Sequence, residues 1–345
     1  MAQRFTVVVT SDRYGSETEG LEMEREVVDA ITDIEIDLQG RPSTSEDELI
    51  EAGRDADALC VSTREAVTRR VLENLPRTKV ISRYGVGLDN VDLDAAADNG
   101  IVVTHYPGYC TSEVADHAMS MILGLNRRLV EQDRALRSGD WVKYGPATRT
   151  ILRGPVWPLR EQTLGIVGFG RIGQSVAERA RPFGLKILAA DPYQEAAVME
   201  AHGVESVSLN ELLERSDIVT LHCPLTKETR GIIGAAELAR MRPTAVLVNT
   251  ARGPLIDLPS LAAALEAKAL AGAALDVVDP EPLPADSPFY SMDNVILTPH
   301  SAYYSERSVE LVRRETLLEA IEVLRGKRPR TVANPAVLEK VHLER

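Results

Sequence analysis

Leu164-Gly165-Ile166-Val167-Gly168-Phe169-Gly170-Arg171-Ile172-Gly173 says more about the fold than any other part of this 345-residue chain. Leu164–Val167 lacks a polar side chain, as expected of a strand buried on both faces of a parallel sheet. It runs into Gly168, Gly170 and Gly173, spaced G-x-G-x-x-G, and a helical segment Gln174–Arg181 follows. Gly168 permits the tight turn, Gly170 a close backbone approach to a pyrophosphate, and Gly173 close packing of helix on strand. The amides at the helix start then face the phosphates. Asp191 ends the next expected strand, Lys186–Ala190. A carboxylate there accepts ribose hydroxyls and repels a 2′-phosphate, which selects NAD over NADP. The hexapeptide alone also suits a glycine-rich turn in another α/β protein, such as a methyltransferase. The strand, the helix and Asp191 together favour a dinucleotide.

The same alternation extends both ways. Upstream, expected strands Phe5–Thr10, Ile34–Leu38, Ala58–Val61, Lys79–Ser82 and Ile101–Thr104 alternate with helices Leu21–Ala30, Glu46–Ala52, Thr68–Leu75 and Leu93–Asn99. Downstream come strands Ile218–Leu221, Ala245–Asn249, Ala271–Leu275 and Val295–Leu297, then a helix over Ser305–Arg325. Such alternation implies parallel sheets covered on both faces, an α/β class. From Ser112 to Arg137 apolar residues recur at a helical period, which predicts one long buried helix. Residues 139–160 read as a long ordered loop.

One core rarely grows past about 250–300 residues, so two domains are expected. A net charge of −13 argues against a broad nucleic-acid surface. No apolar run approaches the roughly 18 residues of a membrane span, and the start lacks a signal-peptide core. Cys60, Cys110 and Cys223 are three and far apart, so neither a disulfide framework nor a thiolate zinc site is expected, and a reducing cytoplasm fits. His105 and His117 suit ordinary structural positions better than a metal site, and no metal is expected.

Three later segments follow strands, where ligands bind in open α/β sheets. Arg252, in Asn249-Thr250-Ala251-Arg252-Gly253, can fork onto a carboxylate, although a surface salt bridge is the commoner fate of a lone Arg. Glu281 sits between Pro280 and Pro282, and His300 follows Pro299. Together they supply one mechanism. His300 gives or takes a proton, Glu281 orients its ring and favours its charged form, and Arg252 anchors a substrate carboxylate beside a hydride donor.

These motifs, with Cys223-Pro224-Leu225-Thr226, Ala274-Leu275-Asp276-Val277 and Arg83–Asp92, make the chain resemble the D-isomer-specific 2-hydroxyacid dehydrogenases over nearly its whole length. The resemblance implies a Rossmann NAD domain, 108–299, inserted into a flavodoxin-like substrate domain of 1–107 and 300–345, with the active site in the cleft. It implies Arg252, Glu281 and His300 as catalytic residues. Backbone amides of Gly85, Val86 and Gly87 would take the substrate carboxylate. Nucleotide contacts would fall on Val86, Arg171, Ile172, Asp191, Cys223, Thr250, Asp276 and His300. The helix from Ser112 would serve a homodimer. Tyr109–His117 and His300–Glu306 resemble the C-terminal-binding-protein branch, which holds NAD-binding corepressors as well as enzymes and whose animal members have Trp in place of Tyr303. Phosphoglycerate dehydrogenases resemble the chain too, but Ser62 stands where they place a phosphate-contacting Arg, with Arg64 nearby. Phosphite dehydrogenase is a further relative.

The expected activity is NAD-dependent interconversion of a small 2-keto acid and its D-2-hydroxy acid. The contrasting reading is an NAD-sensing scaffold. Ser62, Thr63, Arg64, Arg83, Tyr84, Tyr106, Tyr303 and Tyr304 are candidates for the pocket around the substrate side chain, with Arg64 and Arg83 suited to a second anion.

Overall fold

A computed structural model describes residues 3–11, 14, 20–144 and 155–344. The chain divides into two compact units, Met1–Cys110 with Ser305–Arg345, and Thr111–Tyr304. The crossings fall at 110/111 and 304/305, rather than 107/108 and 299/300, so His300 belongs to the second unit.

The first unit holds β1 (Arg4–Val9), β2 (Glu35–Gly40), β3 (Ala58–Val61), β4 (Val80–Arg83) and β5 (Val102–His105). They form a parallel sheet in the order β2-β1-β3-β4-β5, a doubly wound, flavodoxin-like arrangement. On one face Leu59, Ile81 and Val103 join a core with Leu49, Val71 and Ala95 from the covering helices. On the other, the C-terminal helix Glu306–Leu324 packs on β3, β4 and β5, and Ser82 donates to Thr316 O at 2.7 Å. Arg313 of that helix pairs with Glu24 of the helix Glu22–Asp29, with side chains 6% and 0% exposed. A buried charge survives only when paired, so this ion pair fixes the register of the returning helix.

The second unit is built on β6 (Thr163–Val167), β7 (Lys186–Ala190), β8 (Glu205–Ser206), β9 (Ile218–Leu221), β10 (Val246–Asn249), β11 (Gly272–Leu275) and β12 (Val295–Leu297). All are parallel, in the order β12-β11-β10-β9-β6-β7-β8, which is the Rossmann order with one added strand. Successive residues face opposite ways along a strand. Leu164, Ile166 and Ile218 therefore join the core on one face, and Val167, Val219 and Leu221 that on the other. Edge strand β8 escaped the sequence reading because its two residues are exposed and carry no apolar signal.

The long helix expected from Ser112 to Arg137 is interrupted. Thr111–Asn126 is one helix, and Leu129–Arg137 a second. Between them Arg128 takes a left-handed φ of 52° and pairs with Glu131 at 2.8 Å, while the Gln132 side chain caps the carbonyl of Arg127 at 2.7 Å. The apolar period ran through the break because it records only which face is apolar. The first helix buries Ala115, Ala118, Met119 and Ile122, whereas the second buries nothing. The expected loop over 139–160 contains a short helix, Asp140–Tyr144, and its residues 145–154 lie outside the described residues.

Candidate active site

Strand register places the site. Val167 pairs with Ala190 and Leu221, Leu221 with Asn249, Asn249 with Leu275, and Leu275 with Leu297. The loops starting at Gly168, Asp191, His222, Thr250, Asp276 and Thr298 thus leave the second unit's sheet at one level. Strand order reverses at β6 and β9, which opens a crevice there.

The glycine loop lies at that reversal. Gly168 has φ +90°, and a Cβ on it would sit 2.5 Å from the backbone nitrogen of Cys223. A Cβ on Gly173 would strike the carbonyl of Gly168. Gly170, which caps the helix Arg171–Ala180, is different, because a Cβ there would meet nothing within 4 Å. The helix start therefore faces open space. Phe169 is fully buried and meets His202 edge-on at 5.7 Å, so the loop is pinned from below. Asp191 accepts from the amides of Phe169 (2.8 Å) and Tyr193 (2.9 Å). A carboxylate has about four acceptor positions, which leaves capacity for two ribose hydroxyls. Arg171 is exposed in the first helical turn, and Ile172 is half-buried against the core.

Two buried polar atoms at this edge of the sheet have no hydrogen-bond partner among the described residues, Nδ1 of His222 and Oγ1 of Thr250. They follow the register-paired Leu221 and Asn249. Burial holds His222 neutral, pushing its pKa down to about 3, and pushes the Cys223 thiol up to about 11. The open amides, Asp191 and the two unpartnered atoms fit a dinucleotide with hydroxyl and amide groups. His222 carried no expectation, and its signal is a histidine directly after an apolar strand.

The other half of the site is held by side chains. Asn249 is fully buried, accepts from the amide of Ala251 (3.0 Å) and donates to the carbonyl of Arg252 (2.8 Å). Arg252 is half-buried, and its Nη1 donates to Ala251 O at 2.7 Å. A Cβ on Gly253 would strike the carbonyl of Val278, so the Arg252 loop lies against the loop that carries Glu281. Nδ1 of His300 donates to Oε1 of Glu281 at 2.8 Å, so Nδ1 holds the proton and Nε2 is directed elsewhere. Their side chains are 33% and 43% exposed.

His300 has a φ of +54°, a region costly for a residue with a Cβ. Asp276 holds it there. Its carbonyl accepts the amide of His300 at 2.8 Å. Its buried carboxylate accepts from Thr298 Oγ1 (2.6 Å) and the amides of Ser301 (2.8 Å) and Ala302 (2.9 Å). The resemblance gave Asp276 a nucleotide contact. Its side chain is 1% exposed, and its carboxylate also holds the His300 loop. Asn249 and Asp276 share a signal that sequence reading underused, a polar residue at the end of, or just after, an apolar strand.

In the first unit, Gly85 has φ +128° and packs on the Arg83 guanidinium, and His105 Nδ1 donates to the carbonyl of Val86 at 2.9 Å. The loop Gly85–Gly87 is thereby fixed. Arg83 and Tyr84 are 2% and 5% exposed, so they are core residues and not pocket walls. Arg83 donates to its neighbour's carbonyl at 3.0 Å and Tyr84 meets Tyr14 edge-on. Ser62 is tied through its hydroxyl to the buried Glu65 at 2.5 Å. Tyr106 lies under the Arg330 guanidinium at 4.9 Å. Tyr303 meets the His300 ring edge-on at 6.4 Å, and Tyr304 is exposed beyond it. Among the described residues no cluster of His, Cys, Asp and Glu could hold a metal, and no helix is long and apolar enough to cross a membrane.

A Rossmann sheet with an open phosphate loop, and an imidazole–carboxylate pair on the same edge, defines a nucleotide-dependent oxidoreductase. The chain belongs to the D-isomer-specific 2-hydroxyacid dehydrogenases, since the model of that family's NAD binding domain matches residues 119–302. It is 42% identical to a glyoxylate reductase of Thermofilum pendens over 87% of this chain and 88% of that protein. It is 40% identical to a D-3-phosphoglycerate dehydrogenase of Methanocaldococcus jannaschii, over 84% of this chain but 54% of that protein. The structure of an Aquifex aeolicus D-lactate dehydrogenase complexed with NAD and lactic acid superposes with a TM-score of 0.78 at 28% identity, covering 97% of this chain and 98% of that one. The chain is thus an NAD-dependent enzyme that interconverts 2-keto and 2-hydroxy acids.

Proposed function

We propose that the chain reduces a small 2-keto acid of the glyoxylate type to its D-2-hydroxy acid. The hydrogen bond between His300 and Glu281 carries this reading. Bound NADH supplies the hydride. His300 donates the proton from Nε2 to the keto oxygen, and takes it back in the oxidative direction. Glu281 keeps the ring oriented by accepting the proton of Nδ1, which leaves Nε2 for the substrate. Arg252 holds the substrate carboxylate and polarises the carbonyl. The amides of Gly85, Val86 and Gly87 are assigned to the same carboxylate. Gly168, Gly170, Arg171, Ile172 and Gly173 are assigned to the pyrophosphate, Asp191 to the ribose, and Cys223, Thr250, Asp276, Val86 and His300 to the rest of the nucleotide.

Two observations favour a small substrate over a phosphorylated one. The relative of similar length is named a glyoxylate reductase. The Ser62 hydroxyl is bound to the carboxylate of Glu65, and a buried anion there opposes a phosphate. The intact His300–Glu281 pair favours an enzyme over a scaffold. The test is NADH oxidation with glyoxylate, pyruvate and phosphohydroxypyruvate. We expect turnover of glyoxylate or pyruvate and little of the phosphorylated acid. Tight NADH binding without turnover of any keto acid overturns the proposal.

We also assign the chain to a homodimer in a reducing cytoplasm. Leu129, Trp141 and Val142 are 56%, 60% and 94% exposed, apolar side chains on two successive helices that a second copy would cover, and no disulfide is present among the described residues. A monomer in sedimentation at micromolar concentration would remove the dimer.

A further inference from the structure

His117 lies on the helix Thr111–Asn126, away from every motif that marks the site. Its Nε2 is 3.1 Å from Thr298 Oγ1. That hydroxyl has one proton, directed at Oδ1 of Asp276 2.6 Å away. An ionised carboxylate accepts only, so the Thr298 oxygen accepts from His117 and the His117 proton is on Nε2. Nε2 also lies 3.7 Å from the same carboxylate oxygen. A directed chain results, from His117 to Thr298 to Asp276, whose carboxylate then holds the amides of Ser301 and Ala302 and whose carbonyl holds that of His300.

We infer that His117 is a positioning residue for His300, acting through Thr298 and Asp276. The inference rests on His300 being the acid/base. His300 occupies a left-handed backbone conformation that is costly for a residue with a Cβ and persists only where its surroundings over-determine it. Asp276 supplies that constraint, and its side chain is 1% exposed, so water does not compete for it. Hydrogen bonds in a chain polarise and strengthen one another. The helix that presents His117 is anchored in the core by Ala115, Ala118, Met119 and Ile122. The relay therefore references the His300 loop to a rigid element. Without the His117 proton donor, Thr298 keeps its bond to Asp276 but loses its tie to the helix, and the loop loses one of its restraints. A misplacement of about 1 Å at a reacting group can cost on the order of 10²-fold in rate.

The experiment compares His117→Leu, His117→Gln, Thr298→Val and the His117→Leu/Thr298→Val double variant with the unmodified enzyme, using the fastest keto acid of the panel. It reads kcat, NADH affinity by fluorescence and the thermal midpoint, with His300→Ala as the control. His117→Leu is expected to lower kcat about tenfold with NADH affinity within about twofold. His117→Gln, which keeps an N–H at the end of the side chain, is expected to recover most of that loss. In the Thr298→Val background, His117→Leu should cost less than about twofold more, because the chain is already cut. An unchanged kcat in His117→Leu, a His117→Gln variant as slow as His117→Leu, or full additivity with Thr298→Val each overturns the inference. A fully active His300→Ala overturns the acid/base reading itself, whereas an inactive His300→Ala beside a normal His117→Leu removes only the relay.

Discussion

The two halves of the second unit's sheet edge are built differently. Around β6, β7 and β9 the site is largely backbone, with Gly168 and Gly173 where a Cβ would collide, amides facing open space, and Asp191 beside them. Around β10, β11 and β12 it is built by side chains, with Asn249 bonded to the backbone of the Arg252 loop, Asp276 to that of the His300 loop, and Glu281 to the His300 ring. The first half suits a ligand whose phosphates need N–H groups and close approach. The second suits a reaction that needs a proton at one defined atom. Damage to one half should therefore appear in cofactor affinity, and damage to the other in rate.

The sharpest separation comes from His300→Ala. Its reduction rate should fall by on the order of 10²–10⁴-fold, with NADH affinity nearly unchanged. Steady-state kinetics beside fluorescence titration reads both, and a fully active variant would show that the proton comes from elsewhere. Gly168→Ala should do the reverse. It forces a Cβ into a φ of +90° and against the backbone of Cys223, at a cost of about 1–3 kcal/mol. NADH affinity should drop by about tenfold or more, and the thermal midpoint should fall by several degrees. An unaltered dissociation constant would mean that the loop relaxes freely and that the backbone half is not rigid.

Asp191→Ala is expected to erode the preference for NADH over NADPH by about tenfold, since it removes a charged acceptor worth roughly 1.5–3 kcal/mol. It also leaves the amides of Phe169 and Tyr193 without their acceptor, so some stability should be lost with the preference. Equal ratios of the two kcat/KM values before and after substitution would disprove the ribose assignment.

The smallest effect concerns acid. His222 is held neutral in the folded chain down to about pH 3, whereas an unfolded histidine protonates near 6.5. Between those values the unfolded state binds the extra proton, so stability falls as pH drops. Each pH unit costs up to about 1.4 kcal/mol from this group. Unfolding at pH 7 and pH 5 should show a smaller acid loss for His222→Gln than for the unmodified chain. Identical losses would place the acid sensitivity in other groups.

Much of the fold was legible because parallel strands buried on both faces must be apolar. Ala58–Val61, Ile218–Leu221 and Val295–Leu297 fall where the apolar runs put them. The exceptions have local reasons. Strand β8 is two exposed residues at an edge, and the left-handed Arg128 divides a helix whose apolar period continues across it. Arg83 and Tyr84 suited a pocket by their chemistry, yet they lie buried at the end of β4 and just beyond it.

From the sequence alone came the α/β class, the nucleotide loop with Asp191, and the trio Arg252, Glu281 and His300. Glycine spacing and strand-end position are properties of local chain geometry, and local geometry is written in consecutive residues. Only the tertiary structure decided that His300 and Glu281 share a proton at Nδ1, that Asp276 faces the His300 loop, and that His117 reaches Thr298 across 181 positions. Those contacts join residues from different strands and a distant helix, and hydrogen-bond direction depends on where atoms meet in space rather than on their order along the chain.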